Sequence, residues 1–193
     1  MAEASAGRRA QHFEAQLAWR RGDQAFSDNR YSRAHEWRFD GGLRVPASSS
    51  PLSVPLPMSD PAAVDPEEAL VAAASSCHML FFLWFAAQRG FIVDDYRDHA
   101  VGTMESNAAG KMAMTVITLR PAIAFSGAAP DAVALEALHN DAHANCYIAN
   151  SIRAEVVVAP AAWSTALSAA LPAAFSAPAA IPEPTPTSTP GER

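Results

Sequence analysis

Two cysteines, Cys77 and Cys146, carry the broadest chemistry in this sequence, and each has neighbours that give it something to do. Cys77 sits in Ser75-Ser76-Cys77-His78, and Cys146 shares one helical stripe with His139 and His143 at i, i+4 and i+7. Three kinds of chemistry fit. In the first, a thiolate at Cys77 attacks the O–O bond of a peroxide, becomes a sulfenic acid and is captured by Cys146 as a disulfide. This needs a cation near the first thiol. No neighbour of Cys77 is a permanent cation, so Arg33, in the segment Tyr31-x-Arg33-x-His35, is the candidate if the fold brings it over. In the second, His139, His143 and Cys146 bind zinc, with Cys77 or His78 completing four ligands, since mixed histidine and cysteine sets suit that metal. In the third, both thiols are passive core residues of a small-ligand-binding or scaffolding dimer.

The element that must position Cys77 runs from Asp65 to Gly90. Asp65 is an N-cap, Pro66 suits the first helical position and Glu68 closes a capping box, while Arg89 and Gly90 make a C-terminal stop. The helix between them is apolar on almost every side and must be enclosed on all faces. It is long enough to span a bilayer, but Ser75, Ser76 and His78 interrupt it and no basic cluster flanks it, so a buried core helix is expected and no membrane.

Length and charge narrow the classes. The chain has 193 residues, one domain with tails, and a formal charge of −6 with no basic stripe, which argues against nucleic acid as a partner. Two arginines near the start are followed by no apolar run, so no secretory signal is read and a cytoplasmic location is expected. In a reducing cytosol two distant cysteines do not read as a permanent staple.

Along the chain, residues 1–11 read as flexible and 12–160 as the folded domain, while 161–193, rich in alanine and proline, read as mostly disordered apart from a possible short helix at Trp163, Leu167 and Leu171. Within the domain, His12 to Trp19 alternates as a strand, and Tyr31, Arg33 and His35 lie on one face of an extended edge segment. Trp37 to Val45 is a hairpin around Asp40-Gly41-Gly42, and Pro46 to Pro61 a loop. Phe91 to Tyr96 reads as a connector. Asp98 to Met104 and Lys111 to Leu119 are two strands, after which Arg120-Pro121 ends the sheet run. Pro130 to Asn145 is a second helix and Ile152 to Val158 a last strand. This order is α+β, and one antiparallel sheet covers only one side of the central helix, so a second copy of the chain is the simplest cover for the other.

Two motifs carry a resemblance. Asp65-Pro66-Glu67-Glu68-Ala69-Leu70 followed by Ser75-Ser76-Cys77-His78, and Cys146-Tyr147-Ile148-Ala149-Asn150-Ser151 before a final strand, resemble the segments that mark the OsmC/Ohr family of osmotically inducible and organic hydroperoxide resistance proteins, over residues 12 to 158. The resemblance implies an OsmC-like fold in which antiparallel sheets enclose long central helices in an intertwined homodimer. It also implies a thiol peroxidase acting on organic hydroperoxides, reduced by a dithiol such as a lipoyl group, with no cofactor and no metal. By that likeness Cys77 is peroxidatic, Cys146 resolving, and Glu67 holds the activating arginine, for which Arg33 is the choice over Arg21 and Arg38. Ten positions on one helix separate Glu67 from Cys77, about 15 Å, so the arginine or a partner helix must bridge them. His78, His139 and His143 stand outside the family pattern; they could tune the thiols or contact a substrate carboxylate. Met79, Phe81, Phe82, Trp84 and Phe85 would make the thiol's surroundings apolar and favour organic over inorganic peroxide.

Overall fold

The computed structural model describes residues 10–162. Most of the N-terminal segment 1–11 and the tail 163–193, with the short helix expected at Trp163, Leu167 and Leu171, lie outside them. Three small sheets and two helices follow the order β1 (Ala15–Ala18), β2 (His35–Phe39), β3 (Arg44–Ala47), α1 (Pro66–Gln88), β4 (Ile92–Asp98), β5 (Val101–Ser106), β6 (Met112–Leu119), β7 (Pro121–Ser126), α2 (Ala132–Asn145) and β8 (Glu155–Val158).

Helix α1 begins as its sequence dictates. The Asp65 side chain accepts from the Glu68 N–H at 2.7 Å, and the Glu68 carboxylate accepts from the Asp65 N–H at 3.3 Å. These bonds satisfy two amides that a helix start would otherwise leave open. Gly90, at φ +77°, turns the chain out of the helix in a conformation that costs glycine little. By length and composition α1 is the one described helix able to cross a membrane, but its inner face packs on α2, β4, β5 and β6.

The strands form several antiparallel sheets, as expected, with one parallel pair among them. β1–β2–β3 form one meander, β4 pairs with β7, and β6 pairs antiparallel with β5 but parallel with β8. Residues 91–96, expected as a connector, belong mostly to β4, and the segment after Arg120 is β7, its partner. Tyr31 and Arg33 precede β2 rather than forming an extended strand with His35. Pro46 falls inside β3, where it is tolerated because β3 is an edge strand.

The core has two centres. One joins Ala74 to Ile117, Leu119 and Val156; the other joins Phe82 and Ala86 to Leu138 and Ala142. The buried stripe of α1 is thus Ala74, His78, Phe82 and Ala86, at every fourth residue, and His78 stands between the two centres. Enclosure on all faces does not hold within one chain: Leu80 and Trp84 are 61% and 53% exposed.

Candidate active site

Cys77 is half-buried near the middle of α1, and Cys146, buried, ends α2. Asp131 starts α2 by accepting from the Ala134 N–H at 2.8 Å. At its other end Cys146 leaves helical geometry at ψ 112° and opens a tight turn. The turn is bolted down: the Asn150 N–H donates to the Cys146 carbonyl at 3.0 Å, and the Asn150 amide donates to the carbonyls of Ala144 and Cys146. The Ala149 N–H points at the Cys146 sulfur, 3.4 Å away. A thiol whose backbone is fixed on both sides has little freedom to miss a partner.

That partner is Cys77. Burial pushes the Cys146 thiol up to about 11, and the nearby Cys77 thiol adds to the rise, against the opposing pull of the Ala149 and Ile148 amides. Cys146 therefore keeps its proton at neutral pH with the other thiol nearby. Both thiols are free. Beside them the Phe81 ring meets Tyr147 edge-on at 5.0 Å, an apolar wall bridging the two cysteine segments. The other expected wall residues disperse: Phe82 is buried in the core, and Trp84 packs on Phe85 at the surface.

Arg33 and Glu67 are not joined. The Arg33 guanidinium donates to the Asn29 side chain at 2.7 Å, to the Asn29 carbonyl at 3.1 Å and to the Tyr31 carbonyl, and lies 3.8 Å from the centre of the Tyr31 ring. It shares a cavity of about 370 Å³ with Trp19, Phe26, His35 and Pro66, which puts its loop at the N-terminus of α1. Glu67 faces a larger cleft of about 1030 Å³ that runs along α1 to Ser75 and Ser76 and is bordered by Asp98 and Met104. Arg21 and Arg38 are occupied locally, by the Gln24 carbonyl and the Glu36 carboxylate.

The histidines separate by burial. His143 is exposed, whereas His78 and His139 are buried and stacked on each other across α1 and α2. His78 Nε2 and His139 Nδ1 are 3.1 Å apart. Burial holds both rings down to about 4, and the neighbouring imidazoles add to the effect on His78. Among the described residues no group of three histidine, cysteine or acidic side chains converges on a metal position. The zinc reading of His139, His143 and Cys146 fails because one of these residues faces its neighbour helix and another faces solvent. Reading the sequence missed the inter-helix pair. Its signal was there: His78 lies four residues from Ala74 and from Phe82, on the stripe that faces inward.

The α+β fold, with its long central helix α1 packed on α2 and on β4, β5 and β6, is that of the OsmC-like class of protein. The chain belongs to the OsmC-like protein family, which matches residues 59–160. Among solved structures it is similar to an OsmC-like protein of unknown function from Vibrio cholerae, at 50% identity and TM-score 0.77, over 79% of this chain and all of that one. It shares the fold of an organic hydroperoxide resistance protein from Legionella pneumophila, at 15% identity and TM-score 0.56, over 81% and 100% of the two chains. The organic hydroperoxide resistance protein of Bacillus subtilis shares it too, at 17% identity and TM-score 0.52, over 78% and 98%. No curated protein matches the chain.

Proposed function

We propose that the protein is a cysteine-based hydroperoxide reductase. The placement of two free thiols near each other, Cys77 on α1 and Cys146 at the end of α2, carries this reading. The Cys77 thiolate attacks the outer oxygen of ROOH, the O–O bond breaks, and ROH leaves with a proton while Cys77 becomes a sulfenic acid. The Cys146 sulfur then attacks Cys77, the S–O bond breaks, and hydroxide departs with the Cys146 proton as water. A dithiol reductant, of lipoyl type, reopens the disulfide by exchange. A resolving thiol that holds its proton until the sulfenic acid forms does not compete for the peroxide, which suits the raised Cys146 pKa to this order of steps.

Arg33 is the proposed activating cation, to be met by Glu67 only across a dimer, since the two are not joined within one chain, and a homodimer is the proposed working unit. Two features support the dimer. The sheet β1–β3 joins neither of the other sheets, and α1 leaves Leu80 and Trp84 in solvent. A second copy covering them would bring its own Arg33 loop or Glu67 toward the thiols. The apolar edge made by Phe81 and Tyr147 favours organic hydroperoxides over hydrogen peroxide. The protein works in the cytoplasm, where the dithiol stays reduced between turnovers. The test is trapping: Cys146→Ser treated with one equivalent of cumene hydroperoxide gives a Cys77 sulfenic acid that dimedone labels. No label on Cys77, with peroxide unconsumed, refutes the reading.

A further inference from the structure

We infer that His78 and His139 are positioning residues that fix the register of α1 on α2 and so hold Cys146 against Cys77 for disulfide closure. The inference rests on the peroxidase reading for its biological purpose, but its physical content is the strength of the disulfide itself.

The placement is direct. His78 follows Cys77 on one helix, and His139 lies two turns before Cys146 on the other. The rings are nearly parallel, 11° apart with centroids 5.4 Å from each other, and their facing nitrogens are at hydrogen-bond distance. Around them the contact between the helices is apolar, made by Phe82, Ala86, Leu138 and Ala142. Such a seam resists separation but discriminates weakly between registers. A slip of one residue moves a helix 1.5 Å and turns it by 100°, enough to carry one sulfur away from the other. A directional N–H···N bond in a dry core opposes that slip. Among the described residues the other side-chain hydrogen bond between α1's end and α2 is the exposed Arg89–Asp141 ion pair, which water and salt weaken.

The pair is costly in itself. One proton lies between the two facing nitrogens, and His78 Nδ1 and His139 Nε2 are both buried without a partner among the described residues. In either neutral tautomer one of these outer atoms is an unmet donor and the other an unmet acceptor. Leucines would fill the space without that penalty. What the imidazoles add is direction, the role best attested for polar groups in apolar cores.

Substitution separates direction from bulk. His78→Gln places an amide where Nε2 is, and His139→Asn places one where Nδ1 is, so each keeps the link; His78→Leu and His139→Leu keep bulk and lose it. Each protein is equilibrated with oxidised and reduced glutathione at pH 7, and the disulfide fraction is read by thiol alkylation. The leucine variants should make the Cys77–Cys146 disulfide at least tenfold less favourable, and the amide variants should stay within threefold of wild type. After cumene hydroperoxide, the leucine variants should form the sulfenic acid within threefold of the wild-type rate and close it at least tenfold more slowly. Leucine variants with wild-type disulfide stability, or leucine and amide variants equally impaired, overturn the inference. If one leucine variant does not fold, its counterpart on the other helix carries the same comparison. A wild type that forms the disulfide with glutathione yet ignores peroxide would refute the peroxidase and leave the inference standing.

Discussion

At the scale of the residue, the two sulfurs have unequal settings and should fail differently. Cys77→Ser removes the nucleophile, so peroxide consumption in a stopped-flow assay should fall at least a thousandfold. Cys146→Ser should keep a first turnover within a few-fold of wild type but lose steady-state cycling with a dithiol. The histidines give a stability prediction whose sign is fixed by burial. Their folded values, about 4, lie below the ordinary 6.5, so the folded state resists protonation. The stability they contribute is present in full above pH 6.5 and is lost as pH falls toward 4. Thermal melts between pH 7 and pH 4.5 should show a loss on the order of 2 kcal/mol from each ring, and the double variant H78Q/H139N should flatten that part of the profile. Both thiols were legible in the sequence, because a cysteine amid small residues on a capped helix and another at a helix end stand out. The pairing of His78 with His139 was not. Spacing along α2 groups His139 with His143, and only packing against α1 sends one inward and leaves the other in water.

At the scale of the element, α1 was legible nearly to the residue, since its signals are local: Asp65, Pro66 and Glu68 at one end and Gly90 at the other. Asp65→Ala should therefore cost about 1 kcal/mol in urea denaturation, with fold and thiol reactivity unchanged. The strands were less legible. β4 carries a bulge between Val93 and Asp95, which breaks the two-residue alternation that identifies a strand. The parallel pairing of β8 with β6 leaves no local mark at all. Gly102 shows how closely the layers meet: a Cβ there would lie 2.5 Å from the Met114 sulfur and 2.6 Å from a Val71 methyl carbon. Met114 can swing aside more readily than β-branched Val71, so Gly102→Ala should push β5 off α1 and cost about 1–3 kcal/mol, read by the same denaturation.

At the scale of the whole molecule, the sequence indicated α+β and a helix too apolar for one chain to cover. A single chain buries only the Ala74, His78, Phe82 and Ala86 stripe of α1. Leu80→Lys with Trp84→Lys places two charges on the uncovered face. If a second copy seats there, this variant should run as a monomer in size-exclusion chromatography, and its peroxide turnover should fall at least tenfold. A dimer that survives both charges would move the interface elsewhere, and a fully active monomer would remove the need for a partner's Arg33 or Glu67. The separation of Arg33 from Glu67 was invisible in the sequence because it depends on how a loop rich in serine and proline folds over the start of α1, and no periodicity reports that.

The most direct test of the peroxidase reading is a thiol titration of the reduced protein before and after one equivalent of cumene hydroperoxide, beside Cys77→Ser and Cys146→Ser. Wild type should lose two thiols per chain, Cys146→Ser should lose its one thiol to a sulfenic acid, and Cys77→Ser should lose none. Two thiols still titratable in the wild type, with the peroxide unspent, would contradict it.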